Sequence, residues 1–415
     1  MNLPPRTFSL AQLARELYLT GMKFERLAKE HMATTQPVTD WRKEWFEIDD
    51  AAYLNTAAYG AMPRVSLRAV QASLEAKAFP HHVDDSAFFE VPNRLRASIA
   101  RLIGSKPEEI ALTTGASTGL AAVAHGLTWK PGDEIITAKG EFPIQYATWK
   151  PMEEREDVKL KIIAPRDRFI TADDVIAALT PRTRVISVSH VRFDDGSLLD
   201  ASRVAAACHA QGAILVLDVS QSCGAVPMDV NELGADFLVC AGYKWLLGPW
   251  GTGFFWAKRE QLDTLRPGPF DWMAQSTDSF SALNYVDPTP SRSADRWDAA
   301  EASTYFNFNL RAMDASVDFV LRVGPGLVLE HNRKLIELLF ERLPKDCAPA
   351  SPLDCAQRGA FGCFIAPTPE KTAELYKRLR KENVVVSMRE ERIRVSPYLF
   401  NSEQDIDRLI GVVSA

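Results

Sequence analysis

The feature that most restricts how this chain can fold is a series of short apolar runs, each separated from the next by a helical signal. Ile110–Thr113, Glu134–Thr137, Val185–Val188, Ile214–Leu217 and Phe237–Cys240 are the runs. Between them, Val91, Leu95, Ile99 and Leu102 repeat at helical spacing up to Gly104. Leu120, Val123, Ala124 and Leu127 mark a second helix, and Ala201–Gln211 reads as a third, closed by Gly212. Runs that stay apolar instead of alternating need cover on both faces, and strands joined through helices must run parallel. The expectation is an α/β fold around a mostly parallel sheet. Gly251–Trp256 differs, being Gly- and aromatic-rich and reached by a short turn, and suits an antiparallel strand added to that sheet.

Beyond about residue 300 the pattern changes to α+β. A long helix is expected near 326–343, a strand near 361–365 and a helix near 371–382. Strands at Val384–Ser387 and Arg392–Val395 and a last helix from Glu403 follow. Three regions result: an N-terminal helical segment over 1–48, a large α/β domain over 49–300, and a smaller C-terminal α+β domain over 301–415. Residues 33–48 read as a connector and 266–300 as irregular.

Composition excludes several classes of function. In 415 residues, 46% are hydrophobic and the net charge is −6, without a block of like charges, so neither nucleic acid nor an anionic membrane is an expected partner. No apolar stretch reaches the roughly 18 residues that span a bilayer. The N-terminus, with Pro4, Pro5, Arg6 and Arg15, lacks the apolar core of a secretory signal. Six scattered cysteines without a CxxC pair read as reduced thiols, and a cytoplasmic location is expected.

Chemistry concentrates where AILVLDVSQS and ADFLVCAGYK end. Asp218 closes one apolar strand and Lys244 follows another, so parallel strands would deliver both to the carboxyl edge of the sheet. An amine and a carboxylate held there suit pyridoxal phosphate: the amine forms a Schiff base with the aldehyde, and the acid keeps the pyridine nitrogen protonated. Taken alone, the pair also fits a turn-capping Asp and a solvated Lys. Upstream, Thr114-Gly115-Ala116-Ser117-Thr118-Gly119 follows a strand and opens a helix, where small residues and oriented N–H groups favour a phosphate. The same stretch spells G-x-S-x-G, the nucleophile elbow of α/β-hydrolases, with Ser117 as the nucleophile. That alternative needs an acid and then a His downstream. A dinucleotide fingerprint is absent. His81-His82 with Asp84-Asp85 can be drawn as a metal site, but adjacent side chains seldom converge on one centre, and no metal is expected.

Four ordered blocks carry a resemblance to a known family: GASTGLAAVAHGLTWKPGDEIIT, SVSHVRFDDGSLLD, LVLDVSQSCGAVPMDVNELGADFLVCAGYKWLLGPWGTGF and RIRVSPYLFNSEQDIDRL. Together they resemble the class V aminotransferase family of pyridoxal-phosphate-dependent, fold-type I enzymes, which includes cysteine desulfurases, kynureninase and isopenicillin N epimerase. The likeness runs from about Tyr53 to the C-terminus. It implies a seven-stranded type of sheet sandwiched by helices, and a homodimer.

By position, the resemblance makes Lys244 the Schiff-base lysine and Asp218 the partner of the ring nitrogen. Gln221 would bond the ring hydroxyl oxygen. Ala116, Ser117 and Thr118 would cradle the phosphate with help from Tyr243, and Phe142 would stack on the cofactor. Arg394 would pair with the substrate carboxylate, and Asn55 and Thr56 would close over the site. Two departures narrow the function. No Cys precedes Arg394 in VVVSMREERIRVS, so persulfide chemistry is not expected. Arg296–Glu301 lacks the Gly-Thr that would reach a neighbouring subunit's phosphate, a role that would pass to Ser303 or Thr304. The expected activity proceeds through an external aldimine of an α-amino acid and loss of its Cα proton. Aminotransferase leads, followed by a C–S β-lyase and then an amino-acid epimerase.

Overall fold

The computed structural model describes residues 40–82, 87–266, 274, 289–299 and 308–415. The expected helices before residue 40, and Asp84, Asp85, Ser303 and Thr304, lie outside the described residues.

Seven strands form the main sheet: β2 (Ile110–Thr113), β3 (Glu134–Ala138), β4 (Lys159–Ile163), β5 (Thr183–Ser189), β6 (Ile214–Asp218), β7 (Phe237–Ala241) and β8 (Gly253–Ala257). Their order is β2-β8-β7-β6-β5-β3-β4, and β8 alone runs antiparallel to its neighbours, as its sequence predicted. Each face is buried in its own core. Leu215 and Leu217 of β6 face one hydrophobic cluster, while Ile214 and Val216 face the other. That two-sided burial is why the runs are apolar throughout.

β4 shows no apolar run because it is an edge of the sheet left open to solvent. Its Lys159–Ile163 segment is largely exposed, and edge lysines discourage further pairing. The helix Phe308–Val323 is likewise invisible as a stripe, because Asp314 and Ser316 interrupt its buried face. Asp314 ion-pairs with Arg94 at 2.6 Å, and Ser316 Oγ lies 2.7 Å from Ser66 Oγ on the helix Arg64–Ala78.

The C-terminal region is α+β. β9 (Ala348–Pro349), β10 (Gly362–Ile365), β12 (Ser387–Arg389) and β13 (Arg392–Val395) form an antiparallel sheet of order β12-β13-β10-β9. The helices Pro325–Arg342, Pro369–Lys381 and Glu403–Ser414 pack on it around Phe364, Ile393, Val395, Leu339 and Leu379. The single strand expected at Val384–Ser387 is divided. Val384–Val385 forms β11, paired in parallel with β1 (Ala52–Tyr53), whereas Ser387 begins β12. Part of the expected connector is also helical, since Asp40 accepts from Lys43 N and starts the turn Trp41–Trp45.

One close approach fixes how the helix Ala116–Gly126 sits on the sheet. A Cβ at Gly119 would lie 2.6 Å from Val239 Cγ1 and 3.2 Å from Phe255. Gly119→Val is expected to destabilise the protein by about 1–3 kcal/mol, read as a lower midpoint in urea unfolding. An unchanged midpoint would mean that this helix is not seated so closely.

Candidate active site

Parallel pairing creates the site. Ser189 of β5, Asp218 of β6 and Val239 of β7 are neighbours across the ladder, so the loops after these strands leave one edge together. Asp218 ends β6, and Lys244 follows β7 through Ala241-Gly242-Tyr243. Both side chains are buried. Asp218 Oδ1 accepts from Ser220 N at 2.8 Å, and Ser220 Oγ accepts from Ala241 N at 2.9 Å, which ties the two strand ends together.

Lys244 Nζ makes no hydrogen bond or ion pair among the described residues; it lies 5.3 Å from the centroid of the Phe142 ring. Burial draws the amine down to about 8. Attraction to Asp218 opposes that fall, and repulsion from Arg394 and Arg389 reinforces it.

Phe142 is 40% exposed, precedes Pro143 at the start of the helix Pro143–Trp149, and meets Phe193 edge-on at 5.3 Å. Tyr243 is half-buried with its ring 6.3 Å from that of Tyr59, and burial raises its phenol. The Gly115 turn lies beside these groups, because Thr113 and Ala241 both pair with Gly253. Gly115 has φ 154 and ψ −179, a backbone suited to glycine, and no side chain caps the helix Ala116–Gly126. Its first N–H groups are therefore open to an anion. Thr114 and Thr118 share a 2.8 Å hydroxyl hydrogen bond there, with Ser117 exposed and Ala116 buried.

From the other side, Asn55 forms a parallel bridge with Ser396, and Gly60 N donates to Tyr243 O at 2.8 Å. Asn55 Oδ1 and Thr56 Oγ1 are buried without hydrogen-bond partners among the described residues. Gln221 is engaged within the protein. Its Nε2 donates to Ala57 O at 3.0 Å, and its Oε1 accepts from Trp245 Nε1 at 2.9 Å.

Arg394 is 1% exposed. Its Nη1 donates to Phe193 O at 2.7 Å, Nε is unpartnered, and no carboxylate ion-pairs with it among the described residues. Burial pulls this guanidinium down to about 10, and Arg389 adds to the fall. The acids nearby are already committed. Arg192 pairs with Glu141 at 3.3 Å, with Asp194 at 3.3 Å and with Asp195 at 3.6 Å, while Arg392 holds Asp194 at 2.8 Å. Glu141 also accepts from Ser189, yet burial still raises its carboxyl.

The structure thus brings together Lys244, Asp218, Phe142, Tyr243, Arg394 and the Gly115 turn, and directs Gln221 into internal bonds. Sequence reasoning missed Phe193, Arg389 and the Glu141–Arg192 network. Phe193 and Arg192 lie in the SVSHVRFDDG block, whose position after a strand was the available signal.

The hydrolase alternative gains no support. No described histidine contacts Ser117: His190 lies 3.0 Å from Ser222, and His125, His209 and His331 bond Arg155, Asp236 and Asn401. Among the described residues, no cysteine lies in the turn before Arg394. The hairpin before Arg394 turns at Glu390 and Glu391, both with positive φ, and Cys363 is a core thiol pushed up to about 12 by burial.

The family model described as "Aminotransferase class-V" matches residues 52–409. Isopenicillin N epimerase of Streptomyces clavuligerus is 28% identical over 87% of this chain and 94% of its own length. Uncharacterized aminotransferase YcbU of Bacillus subtilis is 25% identical over 77% of this chain and 82% of its own. Among solved structures, the cystine C–S lyase C-DES in complex with its reaction product cysteine persulfide superposes with a TM-score of 0.79 at 20% identity. That likeness, one of fold, covers 88% of this chain and 97% of the other.

In cofactor-free protein, an NMR titration of the Lys244 amine is expected to give a midpoint near 8. Arg394→Leu should raise it by removing a repelling charge, and Asp218→Asn should lower it by removing an attracting one. A midpoint near the ordinary lysine value would mean that this amine is not desolvated.

Proposed function

Because this chain belongs to the class-V aminotransferase family, we propose that it is an amino-acid lyase of the C–S type, with Lys244 as its base and Arg394 as its carboxylate anchor. The chain is a pyridoxal-phosphate-dependent enzyme of fold-type I. The residues fit that cofactor. Lys244 offers an unpaired buried amine, Asp218 keeps Oδ2 free of hydrogen bonds among the described residues, and Phe142 presents a ring next to the amine. The uncapped helix at Gly115, with the Thr114 and Thr118 hydroxyls, would take the phosphate, and Asp218 would hold the protonated ring nitrogen. When bound, the group supplies an electron sink for the charge left at Cα.

The protein's own residues supply the rest. Arg394, buried and without an acid of its own, grips the substrate carboxylate through its planar fork. Phe142 and Phe193 wall the site with rings that carry no exchangeable proton. A lysine depressed to about 8 keeps a sizeable free-base fraction near neutrality, so Lys244 accepts the Cα proton and returns it elsewhere. The single observation that carries the reading is this buried, unpaired Lys244 beside an equally uncompensated Arg394.

Amino transfer, the leading expectation from sequence, has less support than its alternatives. Of the three proteins compared above, one is an epimerase and one a C–S lyase by name, while the aminotransferase is uncharacterized. Elimination needs only one base, which Lys244 provides. Epimerisation is the second reading, favoured by the 28% identical relative, and it needs a proton donor on the face away from Lys244. A homodimer and a cytoplasmic location belong to the same proposal; the six free cysteines accord with the location, and sedimentation would test the dimer.

Borohydride reduction of the holoenzyme is expected to leave a pyridoxyl group on Lys244 alone, and its absence from that peptide would overturn the assignment. With a panel of amino acids, keto-acid and sulfur release without conversion of the cofactor to its amine form supports the lyase. Conversion to that form supports amino transfer, and chiral inversion alone supports the epimerase. Arg394→Gln is expected to cut kcat/KM at least about thirty-fold, the consequence of losing roughly 2 kcal/mol or more from a buried charge pair.

A further inference from the structure

β12 and β13 are paired with Ser387 opposite Arg394 and Arg389 opposite Arg392. Residues directly opposite in an antiparallel ladder share a face, as do residues two apart on one strand. Arg389, Arg392 and Arg394 therefore all project from the same face of this hairpin. They are not equally provided for. Arg392 is held by Asp194 at 2.8 Å, whereas neither Arg389 nor Arg394 has a carboxylate partner among the described residues. Arg389 makes one hydrogen bond, to its neighbour's carbonyl at Met388 O, 2.8 Å away, leaving Nε and Nη2 open. It is half-buried, and Glu390 and Glu391 in the adjoining turn do not pair with it.

Arg394 already has an anion to receive, the α-carboxylate of the substrate in the function proposed above. Arg389 stands diagonally from it on the same face, at about the 7–8 Å of such neighbours. A second guanidinium at that spacing, close enough to repel both Lys244 and Arg394, raises the positive potential beyond what one carboxylate offsets. We infer that the site takes an acidic α-amino acid, one whose side chain carries a β-sulfur and ends in a second carboxylate that Arg389 binds while Arg394 holds the first. Phe142 and Phe193 would then flank the aliphatic part of the side chain.

The inference rests on the proposed function and fails separately from it. In the holoenzyme, binding of L-aspartate, L-asparagine, L-glutamate and L-glutamine is read from the change in cofactor absorbance. At least one acid is expected to bind ten-fold or more tightly than its amide. In Arg389→Gln that ratio should collapse towards one, whatever the variant does to both ligands alike, and Arg389→Lys should retain part of it. Equal binding of acid and amide by the unaltered enzyme overturns the inference, as does a ratio that survives in Arg389→Gln. If Arg389→Gln does not fold, the unaltered enzyme and Arg389→Lys decide between these outcomes. A protein whose absorbance responds to no amino acid at all would instead count against the functional reading.

Discussion

Burying positive charge without its counter-ion is the constraint around which this molecule is organised. Lys244 and Arg394 are both removed from water, and neither is given a carboxylate within ion-pair distance among the described residues. Such an arrangement is costly for a folded protein and persists where a ligand completes it. The cost appears in the titration of the two groups, each displaced towards its neutral form by burial, with Arg394 and Arg389 adding to the fall of Lys244 and Arg389 to that of Arg394. Asp218 limits the displacement of Lys244, so the amine stays poised near neutrality and is not simply discharged.

Keeping Arg394 uncompensated requires the neighbouring acids to be held elsewhere, which is the work of the loop after β5. Arg192 gathers Glu141, Asp194 and Asp195, and Arg392 takes the remaining side of Asp194. The Phe193 carbonyl is then presented to Arg394 as a neutral acceptor that orients the guanidinium without cancelling its charge. Cys363 Sγ contacts Asp194 O at 3.4 Å and closes the back of this network. In the function proposed, a substrate carboxylate would meet a cation already aimed and already desolvated, so little reorganisation would be left to be done.

Particular residues show how far the sequence could be read. Asp218 and Lys244 were legible because a strand's end is a place, and two parallel strands share it. β8 was legible as antiparallel because a short Gly-rich turn cannot make a crossover. The helix Phe308–Val323 was not, since Asp314 and Ser316 satisfy their polar groups through distant partners, Arg94 and Ser66, that no local pattern reveals. Gln221 bonds Ala57 and Trp245 as well, partners that no local pattern reveals, and one Nε2 hydrogen remains available. Arg389 was overlooked because its position depends on hairpin register, and nothing between Val384 and Val395 announces where β11 stops and β12 begins.

By itself the sequence determined the layers of the fold, the edge at which chemistry gathers and the identity of the amine and acid that meet there. These follow from periodicity and strand ends, which are local properties of a chain. Only the tertiary structure decided which charges are compensated. Pairing of Arg192 with Glu141 and of Arg392 with Asp194, which leaves Arg394 without an acid among the described residues, depends on distances between segments far apart in the chain. Electrostatic energy is set by those distances and by the exclusion of water, neither of which is written in the order of residues.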